Sequence, residues 1–243
     1  MADLHHHGVT PIGSKSARYG ARHLSFLWIC YKYWYMKPIL IGGMFESLSM
    51  LEQLSSTIEK QVEGANVTAY SFRRAMLHRA QVVSAVNGNV LLTHSAGALA
   101  VSWGVEPEKA LLVSPTQPCR RRTLAWQFVH KTLMFMVLPS RRGSFKLRLF
   151  FANILEVVAG WRLYLNPKLS REISNYDLNV SLSKRASNYN VNILVSSKDE
   201  LYNNSVTFFK PSQNHNTKLV IMDAYHDELF INPIKVIKIA FNL

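Results

Sequence analysis

The sequence predicts an α/β fold: a mostly parallel, doubly wound sheet with a helical insertion lying over its strand ends. Three observations predict it. Short apolar runs recur along the chain, bounded by Gly, Pro, Asn or charged residues. Stretches with apolar residues at helical spacing lie between most of these runs. One long gap, from Thr116 to about Asn190, lacks any comparable run. Buried strands that alternate with helices are covered on both faces, as in parallel sheets.

Residues 1–36 stand outside the alternation. Ser16 to Tyr35 reads as an amphipathic helix on Leu24, Phe26, Leu27, Trp28 and Trp34, packed on the body, with a membrane-surface helix as the alternative. Pro38 to Ile41 is the first strand, and Gly42-Gly43 ends it in a tight loop. Met44, Leu48, Leu51, Ile58 and Val62 then fall at helical spacing. Asn66 to Phe72 is the second strand, and Arg74 to Val86 is a helix closed by Asn87-Gly88-Asn89. Val90 to Thr93 is the third strand, with a helix from Gly97 onward. Ala110 to Ser114, Val191 to Ser196 and Leu219 to Asp223 are the remaining strands, and Ile234 to Phe241 closes the chain as a helix. In the gap, helices are expected over Leu124 to Leu138, Phe145 to Leu165 and Ser181 to Ser187. The expected organisation is an N-terminal extension (1–36), a core (37–116 and 191–243) and a helical cap (117–190).

A chain of 243 residues with 48% hydrophobic content is long enough to bury a substantial core. Its longest apolar runs fall short of the roughly 20 residues that span a bilayer, so no transmembrane helix is expected, and no signal-peptide cleavage site follows the apolar stretch near the N-terminus. Two cysteines, Cys30 and Cys119, suit neither a disulfide framework nor a zinc site and point to a reducing, cytoplasmic setting. The net charge of +13 is uneven: nine Lys or Arg residues and no acid lie between Lys109 and Ala152. Such a block attracts polyanions. The expected partner is a small-molecule or lipid-like ester substrate; an anionic membrane surface met through the basic cap, with peripheral association, is an alternative role for the segment, and the lack of a nucleic-acid-binding motif disfavours nucleic acid. Trp126, Phe128, Phe135, Phe145, Phe150, Phe151 and Trp161 are most simply the apolar underside of the cap.

The chemistry-bearing stretch is Leu91-Leu92-Thr93-His94-Ser95-Ala96-Gly97, where a strand runs into a small-residue helix start and can expose a serine hydroxyl at a sharp turn. A nucleophilic serine needs a base and an acid to orient it. The fifth strand runs out into Lys198-Asp199-Glu200, and Asp223-Ala224-Tyr225-His226 follows from the sixth. Both loops fall at carboxyl ends of strands, on the edge where parallel sheets bind ligands. Ser95, Asp199 and His226 are therefore the candidate nucleophile, acid and base, in that chain order. Asp223 and Glu200 are alternative acids, Asp227 is expected to be solvated, and His94 to line or pack the pocket. No P-loop, dinucleotide fingerprint or metal-ligand cluster is visible, and the chemistry needs no cofactor.

On these residues the sequence resembles the α/β-hydrolase superfamily of lipases and esterases. The resemblance covers residues 37–243 as architecture and rests on Gly42-Gly43, the Thr93–Gly97 elbow, Ser114-Pro115, Asp199 and His226. It implies attack by Ser95, proton transfer by His226 and orientation of the imidazole by Asp199. It also implies an oxyanion hole from the backbone N–H of Ala96 and one from Gly43 or Met44. Two positions depart from the family pattern. Thr93 stands where a small residue is usual, and Tyr225 where a glycine commonly precedes the histidine. The expected function is cleavage of a carboxylic ester, lipid-like esters included, through an acyl-enzyme. An acyltransferase or thioesterase would use the same triad, and a non-catalytic protein of this fold binding an anionic surface or partner is the alternative from another class.

Overall fold

The computed structural model describes residues 37–62, 64–116, 147–185, 189–199 and 216–241. The expected extension over 1–36, the helix over Leu124 to Leu138 and Glu200 lie outside the described residues. Six parallel strands form one sheet in the order β2-β1-β3-β4-β5-β6: β1 (Ile39–Ile41), β2 (Thr68–Tyr70), β3 (Val90–His94), β4 (Lys109–Val113), β5 (Asn190–Lys198) and β6 (Thr217–Tyr225). All six expected strands are present, and the expected doubly wound α/β architecture is borne out.

The side-chain alternation of the strands explains why both faces are covered. Ile39, Ile41, Leu91, Leu112, Ile193 and Val195 point to one face. There they meet Phe72 of α2 (Phe72–Leu77), Val82 and Val86 of α3 (Arg79–Val86), and the segment after β3. Leu40, Leu92, Leu111, Val113 and Leu194 point to the other face. They meet Leu51, Leu54 and Ile58 of α1 (Leu48–Gln61), Leu229 of α7 (Glu228–Ile231), and Val236 and Ile237 of α8 (Pro233–Phe241). Ser47 caps α1, its hydroxyl accepting from the Met50 amide, and Ser71 caps α2 in the same way through Arg74.

Two expected helices differ in detail. The helix expected over Arg74–Val86 starts earlier and breaks at His78, whose φ of −119° and ψ of 39° are not helical. The helix expected after β3 is a 3₁₀ helix from Ser95 to Trp103, closed by Gly104 at φ 93°.

The later part of the sequence gap carries α4 (Leu147–Tyr164), α5 (Pro167–Asn175) and α6 (Leu178–Arg185). Helix α4 lies over loops that follow the first two strands. Glu156 accepts from Ser71 Oγ at 3.1 Å and pairs with Arg73 at 3.1 Å, and the Tyr164 ring stands 4.8 Å from Phe45. Helix α5, not expected from the sequence, has Asn166 as its N-cap and Pro167 in its first turn. Its Leu169 and Ile173 join Leu178 and Leu182 of α6 in the first core cluster.

Tyr176, between α5 and α6, is buried, and its hydroxyl donates to the Ala98 carbonyl of the 3₁₀ helix at 2.7 Å. Burial pushes this phenol well above its ordinary pKa, so it stays a neutral donor. Tyr176→Phe leaves the Ala98 carbonyl without this donor and is expected to cost about 1–2 kcal/mol, measured as a fall in urea-unfolding free energy with an unchanged m-value.

Candidate active site

The parallel register determines which residues can meet. Ile41 lies opposite Thr93, and His94 opposite Val113. Two residues past Ile41 and Thr93, and one past Val113, the chain brings Gly43, Ser95 and Ser114 to the same sheet edge. The chain leaves β1 for β2 on one side and returns to β3 on the other, so this edge is the topological switch point where open parallel sheets hold ligands.

Ser95 has a φ of +50°, in the left-handed region that disfavours side chains. That strain goes with the abrupt change from strand to 3₁₀ helix at this residue. Gly97 makes the turn possible, since a Cβ there would run into the Ile41 carbonyl oxygen. Gly43 is similarly tight: a Cβ would stand 2.9 Å from the Ser95 Cβ. The Thr116 amide donates to the Ser95 carbonyl at 3.1 Å and ties the elbow to the chain after β4. Ser114, itself at φ 42°, shares a hydroxyl hydrogen bond of 2.8 Å with Ser196 on β5.

Strands β5 and β6 run past β3 and β4 and carry Asp199 and His226 beyond their ends. Asp199 Oδ2 lies 2.9 Å from His226 Nδ1, and both side chains are buried. This pairing leaves Nε2 as the ring nitrogen remote from the acid. The alternative acid Asp223 points the other way. In β6, Met222 and Ala224 are buried while Asp223 and Tyr225 are exposed, and Asp223 bonds instead to Lys198 Nζ at 2.9 Å and Ser197 at 3.2 Å. The Lys198 ammonium holds this carboxyl below its ordinary pKa. Tyr225 therefore sits on the open face, whereas Thr93 is fully buried and its hydroxyl has no hydrogen-bond partner among the described residues.

Three expectations are corrected. His94, expected to line or pack the pocket, packs beneath the site and does not line a pocket: it is 0% exposed, with Nδ1 2.6 Å from Glu46 Oε1 and Nε2 3.0 Å from the His226 carbonyl oxygen. The Gly43 amide, one of two expected first-loop donors to an oxyanion, donates to Glu46 Oε2 at 2.5 Å. Asp227, expected to be solvated, is only 8% exposed.

Glu46 is the residue that sequence reasoning missed. It is 1% exposed and touches both the loop after β1 and His94. The only signal was an acid three residues past Gly43 and one before a helix N-cap, which reads equally well as a solvated helix start.

His94, His226 and Asp227 bring one ligand atom each within 4.8 Å of one another. Both His94 nitrogens are already engaged, so a cation there would have to displace Glu46 or the His226 carbonyl.

No family model matches the chain, and no curated protein matches it in sequence. Among solved structures it is similar to an enol-lactonase from Burkholderia xenovorans, at TM-score 0.55 and 13% identity over 86% of this chain and 91% of that one. It is similar to the thioesterase domain from the curacin biosynthetic pathway, at TM-score 0.54 and 12% identity over 86% and 92%. A deformylase from Pseudomonas putida follows, at TM-score 0.51 and 14% identity over 86% and 92%. Likeness at these identities speaks for the fold. The chain has the α/β-hydrolase fold, as the resemblance in its sequence implied.

The strain at Ser95 has a measurable consequence. A left-handed backbone costs a non-glycine residue about 1–2 kcal/mol, and glycine gives back about 0.5–1 kcal/mol in unfolded-state entropy. Ser95→Gly is therefore expected to match or exceed the wild type in thermal stability, as seen by calorimetry, while Ser95→Ala retains the strain.

Proposed function

We propose that the chain is a serine hydrolase that cleaves a carboxylic ester through an acyl-enzyme. Ser95 Oγ attacks the carbonyl carbon, His226 Nε2 takes the hydroxyl proton and returns it to the leaving alcohol, and Asp199 holds the imidazole with Nδ1–H toward its carboxylate. Water then enters by the same route and releases the acid. The Ala96 and Met44 amides are assigned to the oxyanion, since the Gly43 amide is committed to Glu46. A thioester, or an alcohol in place of water, would use the same groups.

The observation that carries this reading is the buried 2.9 Å contact between Asp199 and His226 at the edge where Ser95 is held at φ +50°. A buried imidazole–carboxylate pair and a strained serine at one sheet edge are each costly to fold, and nucleophilic catalysis uses each of those features. Residues 117–190 are assigned to a cap, supported by the position of α4 over the loops after β1 and β2. The test is hydrolysis of p-nitrophenyl esters of increasing acyl length. Wild type is expected to turn over, and Ser95→Ala, Asp199→Asn and His226→Ala each to lose about three orders of magnitude or more in kcat. Turnover that survives Ser95→Ala would refute the assignment.

A membrane partner is the second part of the proposal. Among the described residues no helix is long and apolar enough to cross a membrane. Helix α4 and the residue after it nonetheless expose Phe151, Ile154, Leu155, Val158, Trp161 and Leu165 along one stripe, Leu155 at 66% and Trp161 at 54%, so Phe151 and Trp161, expected on the underside of the cap, face outward instead. The one acid of the helix, Glu156, is buried against Arg73, and exposed Arg162 stacks on Trp161 at 5.5 Å. An apolar stripe with Trp and Arg and without acids suits an anionic interface. Vesicles rich in phosphatidylserine are expected to retain the protein at low salt and release it at high salt, and Leu155→Glu with Trp161→Glu to abolish retention; equal binding by the double variant would contradict this surface.

A further inference from the structure

His94 is the last residue of β3, and alternation along the strand turns it to the same face as Leu92. Its ring there meets Phe230 edge-on at 5.0 Å and lies 5.1 Å from the His226 ring. The hydrogen-bond partners constrain its protons. The His226 carbonyl oxygen can only accept, so His94 Nε2, 3.0 Å away, carries hydrogen. Nδ1, 2.6 Å from Glu46 Oε1, then either donates to a carboxylate as imidazolium or accepts from a protonated carboxyl. Both arrangements make the pair neutral overall. Glu46 can therefore lie beside the Gly43 amide without setting a bare negative charge next to a site where an oxyanion develops.

The pair ties together three segments that are far apart in the chain: the loop after β1 through Gly43, the end of β3 through His94, and the turn after β6 through the His226 main chain. Stability alone accounts poorly for such a pair, because a buried ionic pair is commonly no more stable than well-packed apolar residues of similar volume. We propose that Glu46 and His94 are positioning residues: a second acid–imidazole pair, separate from Asp199–His226, that holds the His226 main chain so that its imidazole keeps both Asp199 and the approach to Ser95. This rests on the reading of His226 as the base.

Two substitutions divide the role of His94. In His94→Asn the side-chain amide replaces Nδ1 and still meets Glu46, but it is too short to reach the His226 carbonyl. In His94→Gln the amide nitrogen replaces Nε2 and can still donate to that carbonyl. Both are measured in the full chain by kcat and KM for p-nitrophenyl acetate and by imidazole ¹⁵N–¹H spectra of histidine-labelled protein. The Asn variant is expected to lose about tenfold or more in kcat, equivalent to about 1.4 kcal/mol, with little change in KM. The Gln variant, which keeps a donor to the His226 carbonyl but gives up the bond to Glu46, is expected to lose several-fold less kcat than the Asn variant. In the spectra, the His226 Nδ1–H signal is expected to shift or vanish in the Asn variant and to persist in the Gln variant. An unchanged His226 signal in the Asn variant, or equal losses in both variants, overturns the proposal. A wild type without esterase activity whose His226 signal still moves in the Asn variant alone would defeat the hydrolase reading and leave the positioning role standing.

Discussion

The site depends on one constraint, the parallel register in which Ile41 of β1 lies opposite Thr93 of β3. It brings the glycine loop after β1 alongside the serine after β3, and a slip of one residue would turn every side chain of the strand to the other face. Both neighbours are cut to fit. A Cβ at Gly97 would run into the Ile41 carbonyl, and one at Gly43 would meet the Glu46 carboxyl and Ser95. The left-handed backbone at Ser95 then persists because the packing around it leaves the chain little alternative. Around this junction two imidazoles are each held by a buried carboxyl group, Asp199 on His226 and Glu46 on His94. They meet through the His226 main chain, so the first-strand loop and the last-strand turn are mechanically joined.

Much of this was legible in the sequence, for physical reasons. Strands buried on both faces read as continuous apolar runs, and a parallel sheet gathers their carboxyl ends on one edge. Residues just past those runs, Ser95, Asp199 and His226, could therefore be singled out without contacts. The alternation of β6 also explains the choice between acids, since Asp223 falls on the exposed face with Tyr225. Glu46 was not legible because its meaning comes from a partner 48 positions away, and no local period marks it. The same distance hid the role of His94, which its neighbour Ser95 made look like a pocket residue. Helix α5 was missed because Asn166-Pro167 reads as a loop signal as readily as a cap and first turn. The 3₁₀ winding after Ser95 follows from tertiary contact, where small residues let the turns sit close to β1.

Helix α4 carries two opposite demands. Its inner face supplies Glu156 to Ser71 and Arg73 and sets Tyr164 against Phe45, and its outer face leaves large apolar side chains in water. A helix apolar on both faces is normally covered. The net charge of +13, with a run from Lys109 to Ala152 free of acids, makes an anionic cover electrostatically favourable.

The central claim is that Ser95 is a nucleophile activated by its surroundings. The most direct measurement is intact-mass and peptide analysis after exposure to a fluorophosphonate. The account predicts one adduct per chain, located on Ser95 and absent from His226→Ala over the same exposure. A folded protein that forms no adduct, or forms it on another residue, would contradict the account.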